Sequence, residues 1–421
     1  MGRSLGRGRF VDKSSGIPGA VPTVMRMTER ERSVLAPRVA RSIVAVVVCL
    51  TSLWTVFAAV AGASVPAVTF GAPDVTSGYD FAATVVGDFT RDGVPDVLAA
   101  TSDYPTAEPP NSLFVLAQQS DGSLGPPVLS YSLGTPRFMS MAAGSFNSDR
   151  RLDVAIATDT GVEILTQNRR GRLELTSFIQ LRYGATQILA RRMLGTRVSD
   201  LVVNSPSGVY VIENLGLGRW RKQRIWVEPF SQGERSIAAG DVTGDGKKDV
   251  VIYRAFQHPH LVVFAWQRGG SYLRAGGYEP VNDGNWGWSL AIGDVTGDGR
   301  NDVVLSIADN QPKAGIDIFA GRPNGTLGSP HRIHTDDGPE VVSLADLNAD
   351  GRKDVVVLHG GFAEAGIMMQ QEDGSIGPES LSLITHVSHY YQASLSIGDV
   401  NSDAKRDFVI GSTDLVVLRQ S

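Results

Sequence analysis

Short apolar runs, each fenced by Gly, Asp, Asn or Pro, follow one another from about residue 80 to the end of the chain. Two of them, Leu290-Ala291-Ile292 and Val303-Val304-Leu305, flank the stretch Asp294-Val295-Thr296-Gly297-Asp298-Gly299-Arg300-Asn301-Asp302. The second kind of run is nearly unbroken wherever it recurs, as in Val97-Leu98-Ala99, Val250-Val251-Ile252 and Val355-Val356-Val357. Apolarity without alternation predicts strands buried on both faces. Around Asp294 the pattern predicts four strands: A over 289–294, B over 302–307, C over 316–320 and D near 329–334. An acidic loop joins A to B, and a variable loop, 308–315, joins B to C. Asn324-Gly325 precedes D, as Asp121-Gly122 and Asp373-Gly374 do elsewhere, and such pairs supply the positive φ of a tight hairpin turn.

The acidic loop recurs. Copies begin at Asp88, Asp241, Asp294, Asp346 and Asp399, and decayed copies begin at Ser145 and Arg192. Successive starts are 57, 47, 49, 53, 52 and 53 residues apart. Seven four-stranded units at a near-fixed period predict an all-β fold, a seven-bladed β-propeller of antiparallel blades. Only two strands, 406–411 and 415–418, fit after the last loop, while one orphan strand, 65–70, precedes the first. That strand, with Gly71-Ala72-Pro73 after it, looks like the D strands and is expected to complete the last blade. Closing the ring by backbone hydrogen bonds removes two sheet edges.

In each intact loop, oxygen-bearing side chains stand at the first, third, fifth and ninth positions and Gly at the sixth. Oxygens at alternating positions of a tight loop converge on a point, which suits a hard cation, Ca²⁺ before Mg²⁺. Asp-Gly between apolar runs also reads as a plain hairpin turn. Recurrence at constant period favours the metal reading.

Over about residues 64–421 these repeats resemble FG-GAP/VCBS repeats, the β-propeller units of integrin α-subunit heads and of many secreted bacterial proteins. The resemblance implies Ca²⁺ at four loops. Its ligands would be Asp88, Thr90, Asp92 and Asp96; Asp241, Thr243, Asp245 and Asp249; Asp294, Thr296, Asp298 and Asp302; and Asp346, Asn348, Asp350 and Asp354. A fifth site, Asp399, Asn401, Asp403 and Asp407, is left open because Ala404 replaces the Gly. The third repeat, with Arg192, Leu194 and Thr196 where oxygens belong, is expected to be metal-free. The family's Gly-Ala-Pro after the loop is missing from every repeat. The bound metal is expected to be structural, cancelling the repulsion of the clustered carboxylates.

Residues 1–42 carry nine Lys or Arg, and the segment 43–63 is apolar and uncharged, ending Ala61-Gly62-Ala63. This predicts an N-terminal extension and signal peptide over 1–63, with the true start at Met1, Met25 or Met27 and the propeller over 64–421. The alternative is an uncleaved signal anchor. Either way the repeats are expected outside the cell or in the periplasm. Cys49, the one cysteine, lies in the apolar segment, so the propeller has no disulfide chemistry. The chain's net charge is −5, and beyond residue 63 it is −11, which argues against nucleic acid or anionic lipid as partner.

In a four-stranded meander the A–B and C–D turns share one face of the ring. The B–C loops and blade-to-blade links share the other, which is left for a ligand. Candidates there are Tyr104, Phe256, His258, Trp286, His389 and Tyr390, side chains suited to stacking on a sugar or anchoring a protein. No nucleophile elbow, phosphate loop or HExxH occurs. The expectation is a monomeric, non-enzymatic binding or adhesion module for a glycan or an extracellular protein. The alternatives are a carbohydrate-active enzyme and a structural scaffold.

Overall fold

The computed structural model describes residues 68–103, 107, 109–226, 235–255, 260–281, 287–384 and 394–421. All lie within the compact unit Val65–Ser421. Seven four-stranded antiparallel sheets make up this unit. Six take their strands in chain order, over residues 81–132, 138–180, 187–226, 235–278, 287–334 and 339–383. The fold is a seven-bladed β-propeller.

Strand B is buried at every residue in Asp96–Thr101, Asp153–Thr158, Asp200–Ser205, Asp302–Ile307 and Asp354–His359. Each is flanked by A and C in its own sheet and covered on both faces by neighbouring blades. Its alternate side chains therefore serve two different cores. Leu98 and Ala100 pack with Ile156 and Leu165 of blade two, whereas Val97 and Ala99 pack with Val400 and Val409 of blade seven. Ala155 and Ala157 of blade two turn the other way, to Ile188 and Val203 of blade three. Seven apolar clusters result, one at each seam.

The seventh blade takes its outer strand from the start of the propeller. Asp74–Thr76 pairs antiparallel with Leu415–Leu418, Asp74 opposite Val417 and Thr76 opposite Leu415. The closing ladder thus falls after Gly71-Ala72-Pro73; of the strand expected at 65–70, residues 65–67 lie outside the described residues and Thr69 and Phe70 make single contacts with the last strand's end. Phe70 bridges Gln420, and Gly71 N donates to Arg419 O at 2.9 Å. Pro73 has no N–H to continue the ladder, so pairing resumes only at Asp74. The same step recurs where Leu124, Leu327 and Ile376 bridge Gln118, Gly321 and Gln370, and each following Gly N–H donates back to strand C or its end. The N-terminal segment is therefore a complete D unit. Across this seam Ser396 Oγ donates to Thr84 O at 2.7 Å.

Candidate metal centre

The carboxylates of each A–B loop do different work. Asp294 shapes the turn: its Oδ1 accepts from Gly297 N (2.7 Å) and Asp298 N (3.2 Å), and its Oδ2 from Gly299 N (2.7 Å). Asp241 does the same for Gly244, Asp245 and Gly246. The fourth and sixth loop residues take positive φ, at 72° and 81° for Gly297 and Gly299. Ala404 adopts the same conformation, with φ 66°, and its N–H donates to Asp399 Oδ2 at 2.9 Å. The last loop thus keeps the turn despite losing its glycine. The left-handed backbone costs alanine about 1 kcal/mol. Ala404→Gly is expected to raise stability by about that amount, read as a higher denaturation midpoint with unchanged slope.

The ninth residue is of another kind. Asp302 is fully buried; its Oδ2 accepts from Val295 N (2.9 Å) and Thr296 N (3.0 Å), and its Oδ1 from Gly321 N (2.8 Å). It rivets the loop to the end of strand C. Asp200 makes the same three bonds, from Met193 N, Leu194 N and Asn214 N at 3.0, 3.1 and 2.9 Å. This explains why the third repeat keeps this aspartate alone. Burial pushes the carboxyl up in all seven copies, against the pull of the backbone N–H donors.

Among the described residues, three carboxylates converge in one loop: Asp88, Asp92 and Asp96 offer oxygens within 4.8 Å of one another. In the loops of Asp294 and Asp346 the fifth carboxylate turns to an arginine two residues on. Asp298 pairs with Arg300, and Asp350 with Arg352 at 2.6 Å. Asp245, Asp249, Asp354, Asp399, Asp403 and Asp407 hold the expected places in their loops without forming such a cluster. The Thr243 and Thr296 hydroxyls are enclosed and lack a partner of hydrogen-bonding geometry, although each lies near enough to Asp249 or Asp302 to hold that carboxyl down. Enclosed, unspent oxygens beside carboxylates fit a hard cation. Asn348 and Asn401 instead donate to Asp350 and Asp403 at 2.7 and 3.2 Å.

Two features escaped the sequence reading. The second loop residue is apolar and buried in every copy: Phe89, Phe146, Met193, Val242, Val295, Leu347 and Val400. An amide after strand C also recurs and reaches back to the preceding blade's loop. Gln167 Nε2 donates to Phe89 O (3.0 Å), Asn214 Nδ2 to Phe146 O (2.8 Å) and Gln420 Nε2 to Leu347 O (3.0 Å). Both were visible as periodic residues once the units were aligned. The C–D turn glycines press on the same loops: a Cβ at Gly374 would stand 2.1 Å from Thr296 O, and one at Gly325 2.8 Å from Thr243 O. The A–B and C–D turns therefore share a face. Where the third repeat has decayed, the next turn stands off, leaving a cleft of about 270 Å³ lined by Leu194, Val211, Glu213, Arg221 and Gly270.

Of the residues expected on the opposite face, Tyr104, Phe256, His258, Trp286, His389 and Tyr390 all lie outside the described residues. The described part of that face holds a buried ion pair at the end of strand B in blade six. His359 meets Asp337 O through Nδ1 (2.8 Å) and Glu379 Oε1 through Nε2 (3.0 Å). Burial alone pulls the imidazole down, but Glu379, the Asp337 carbonyl and the Asp336 charge together raise it above its ordinary 6.5. A histidine raised in the folded state lends stability that is full below the unfolded value and lost as pH climbs through the folded one. Melting temperature is expected to fall as pH rises above about 6.5, and His359→Gln should flatten that slope.

A family model described as an FG-GAP-like repeat matches residues 195–252, from the third loop through strand B of blade four. Integrin alpha-PS2 of Drosophila melanogaster is 29% identical over 161 residues, covering 33% of this chain and 12% of that protein. The chain is a seven-bladed β-propeller that carries an FG-GAP-like repeat. It spans about an eighth of the length of that integrin subunit. Two solved structures resemble this propeller in fold. One is an Agrocybe aegerita lectin described as recognising non-reducing terminal N-acetylglucosamine, with TM-score 0.51, 18% identity, and 73% of this chain and 81% of that one covered. The other is BBS1N in complex with ARL6DN, with TM-score 0.52, 13% identity, and coverage of 84% and 97%.

Proposed function

We propose that this FG-GAP propeller is an extracellular, calcium-stabilised, non-enzymatic binding module that takes a glycan or protein ligand on the face opposite the acidic loops. The observation that carries the reading is the carboxylate cluster Asp88, Asp92 and Asp96 at the turn of an integrin-like repeat. Bound Ca²⁺ would cancel the repulsion of that cluster. The chain's own part is to hold the oxygens: Asp88 through the N–H groups of Arg91 (2.5 Å) and Gly93 (3.2 Å), Asp92 through that of Val94 (3.1 Å). With the loops rigid on one face, the variable loops and links of the other are free to differ. They carry Tyr104, Phe256, His258, Trp286, His389 and Tyr390. A lectin and a protein-bound domain among the similar folds support a ligand of either kind. Secretion, or anchorage by the apolar segment 43–63, supports access to extracellular calcium.

The test is retention, in calcium, on immobilised N-acetylglucosamine-terminated glycans and on a panel of extracellular proteins. Wild type is expected to be retained on one of them, and Trp286→Ala with His389→Ala to lose retention without a change in melting temperature. Retention that survives both substitutions would move the ligand off this face.

A further inference from the structure

The negative charge of the ring is unevenly spread. Beyond residue 63 the net charge is −11, yet residues 145–226 hold 13 Lys or Arg against 7 Asp or Glu. The acids of this sector are mostly spent. Asp153 and Asp200 are buried beneath backbone N–H donors, Asp149 and Glu213 pair with Arg151 and Arg221, and Glu163 accepts from Tyr131 at 2.9 Å. Six of the arginines are not. Arg150, Arg170, Arg172, Arg192, Arg197 and Arg219 are exposed, and none makes an ion pair among the described residues.

These six lie on the loop face, in the second and third A–B loops and the C–D turns of blades two and three. The two loops touch: Ser199 N donates to Ser145 O at 2.7 Å. Asn214, just before the C–D turn of blade three, donates to Phe146 O at 2.8 Å and Ser199 O at 3.3 Å, one carbonyl in each loop. From that turn Leu217 projects, 96% exposed, with Leu215 exposed at its base. The turn is closed by Leu215 N donating to Arg219 O (2.9 Å) and Arg219 N to Gly216 O (3.1 Å). At the same place blades one, five and six carry Asp121-Gly122, Asn324-Gly325 and Asp373-Gly374. Leu217 has a φ of 54°, a conformation unfavourable for leucine, and its side chain packs on nothing. Such a tip gains only when an apolar medium covers it.

We infer that this sector docks on an anionic lipid bilayer, with the arginines on headgroup phosphates and Leu217 in the acyl boundary. A soluble acidic polymer would use the arginines and leave Leu217 in water; a bilayer uses both. Arginine's planar fork suits phosphate oxygens. The net charge beyond residue 63 averages over the ring: the acidic loops that share this face belong to blades one, four, five, six and seven, and the basic sector to blades two and three. The opposite face is then turned to the solvent, so the inference stands apart from the ligand reading above.

The experiment is partitioning of the full chain onto phosphatidylcholine vesicles with and without phosphatidylglycerol, at fixed calcium. Variants are compared with wild type so that the segment 43–63 contributes equally throughout. Each arginine at an anionic surface is worth about five-fold in partitioning, so Arg192→Glu with Arg197→Glu should lose at least about 25-fold on the anionic vesicles. Leu217→Ser should lose about ten-fold. Both alter exposed side chains, and unchanged melting will show the fold intact. Partitioning untouched by Leu217→Ser, or displaced in full by soluble heparin, overturns the bilayer in favour of an acidic polymer. Indifference to both variants removes the docking surface altogether.

Discussion

Asp200→Asn is expected to lower the melting temperature by roughly 5–10 °C, and by the same amount in calcium and in chelator. The carboxylate serves three backbone N–H groups, from Met193, Leu194 and Asn214. Asparagine offers one oxygen, and its NH₂ faces donors it cannot serve. Leaving buried N–H groups unpaired costs about 1–3 kcal/mol each, about 3 kcal/mol in all once the surviving bond is allowed for, and a domain this large loses a few degrees per kcal/mol. The third repeat is the informative place for this change. Arg192, Leu194 and Thr196 supply no metal cage, so any loss there reports the rivet alone. A fall seen only in calcium would refute the backbone role assigned to the ninth aspartate.

Calcium is expected to have the second large effect. At a concentration a hundredfold above Kd, each filled loop adds about 2.7 kcal/mol, so four loops add on the order of 10 kcal/mol. Thermal melting of the protein at that calcium concentration should therefore exceed that in chelator by about 10 °C or more, at roughly 2 °C per kcal/mol. Asp92→Asn should remove one loop's share while leaving the chelator melt in place. Among the described residues its carboxylate accepts one hydrogen bond, from Val94 N to Oδ1, and asparagine's oxygen keeps that bond. No shift on adding calcium would reduce the acidic loops to turns, and the propeller, which rests on its strands, would stand.

The repeat period and the unbroken apolar runs carried the fold. Strand B of the fifth unit, Asp302–Ile307, and the last strand, Leu415–Leu418, lie where the runs placed them. The closing strand was misplaced because apolarity marks burial and not pairing: Phe70 is apolar and makes one bridge, while exposed Asp74 and Val75 form the ladder. The loops were legible as acidic, but their division of labour was not. An aspartate that binds a cation and one that caps backbone N–H groups look alike in a list of residues. Only the third repeat hinted at the difference, by keeping Asp200 after its companions had gone. The basic sector was hidden by averaging, since a whole-chain charge says nothing of where the arginines stand.

The pairing of Asp74–Thr76 with Leu415–Leu418 also orders events at the ribosome. The first strand of the propeller to emerge is the last to find its partner. Six blades can form and stack behind it while it waits, and the seventh cannot be finished until the last strand of the propeller has been made. During that interval the nascent ring keeps two apolar seams open, one where Val97 and Phe114 will meet Val400 and Val409, the other where Val356 and Leu358 will meet Phe408 and Ile410. A chaperone that shields one strand and the two seams beside the missing blade would cover the whole vulnerable period of synthesis.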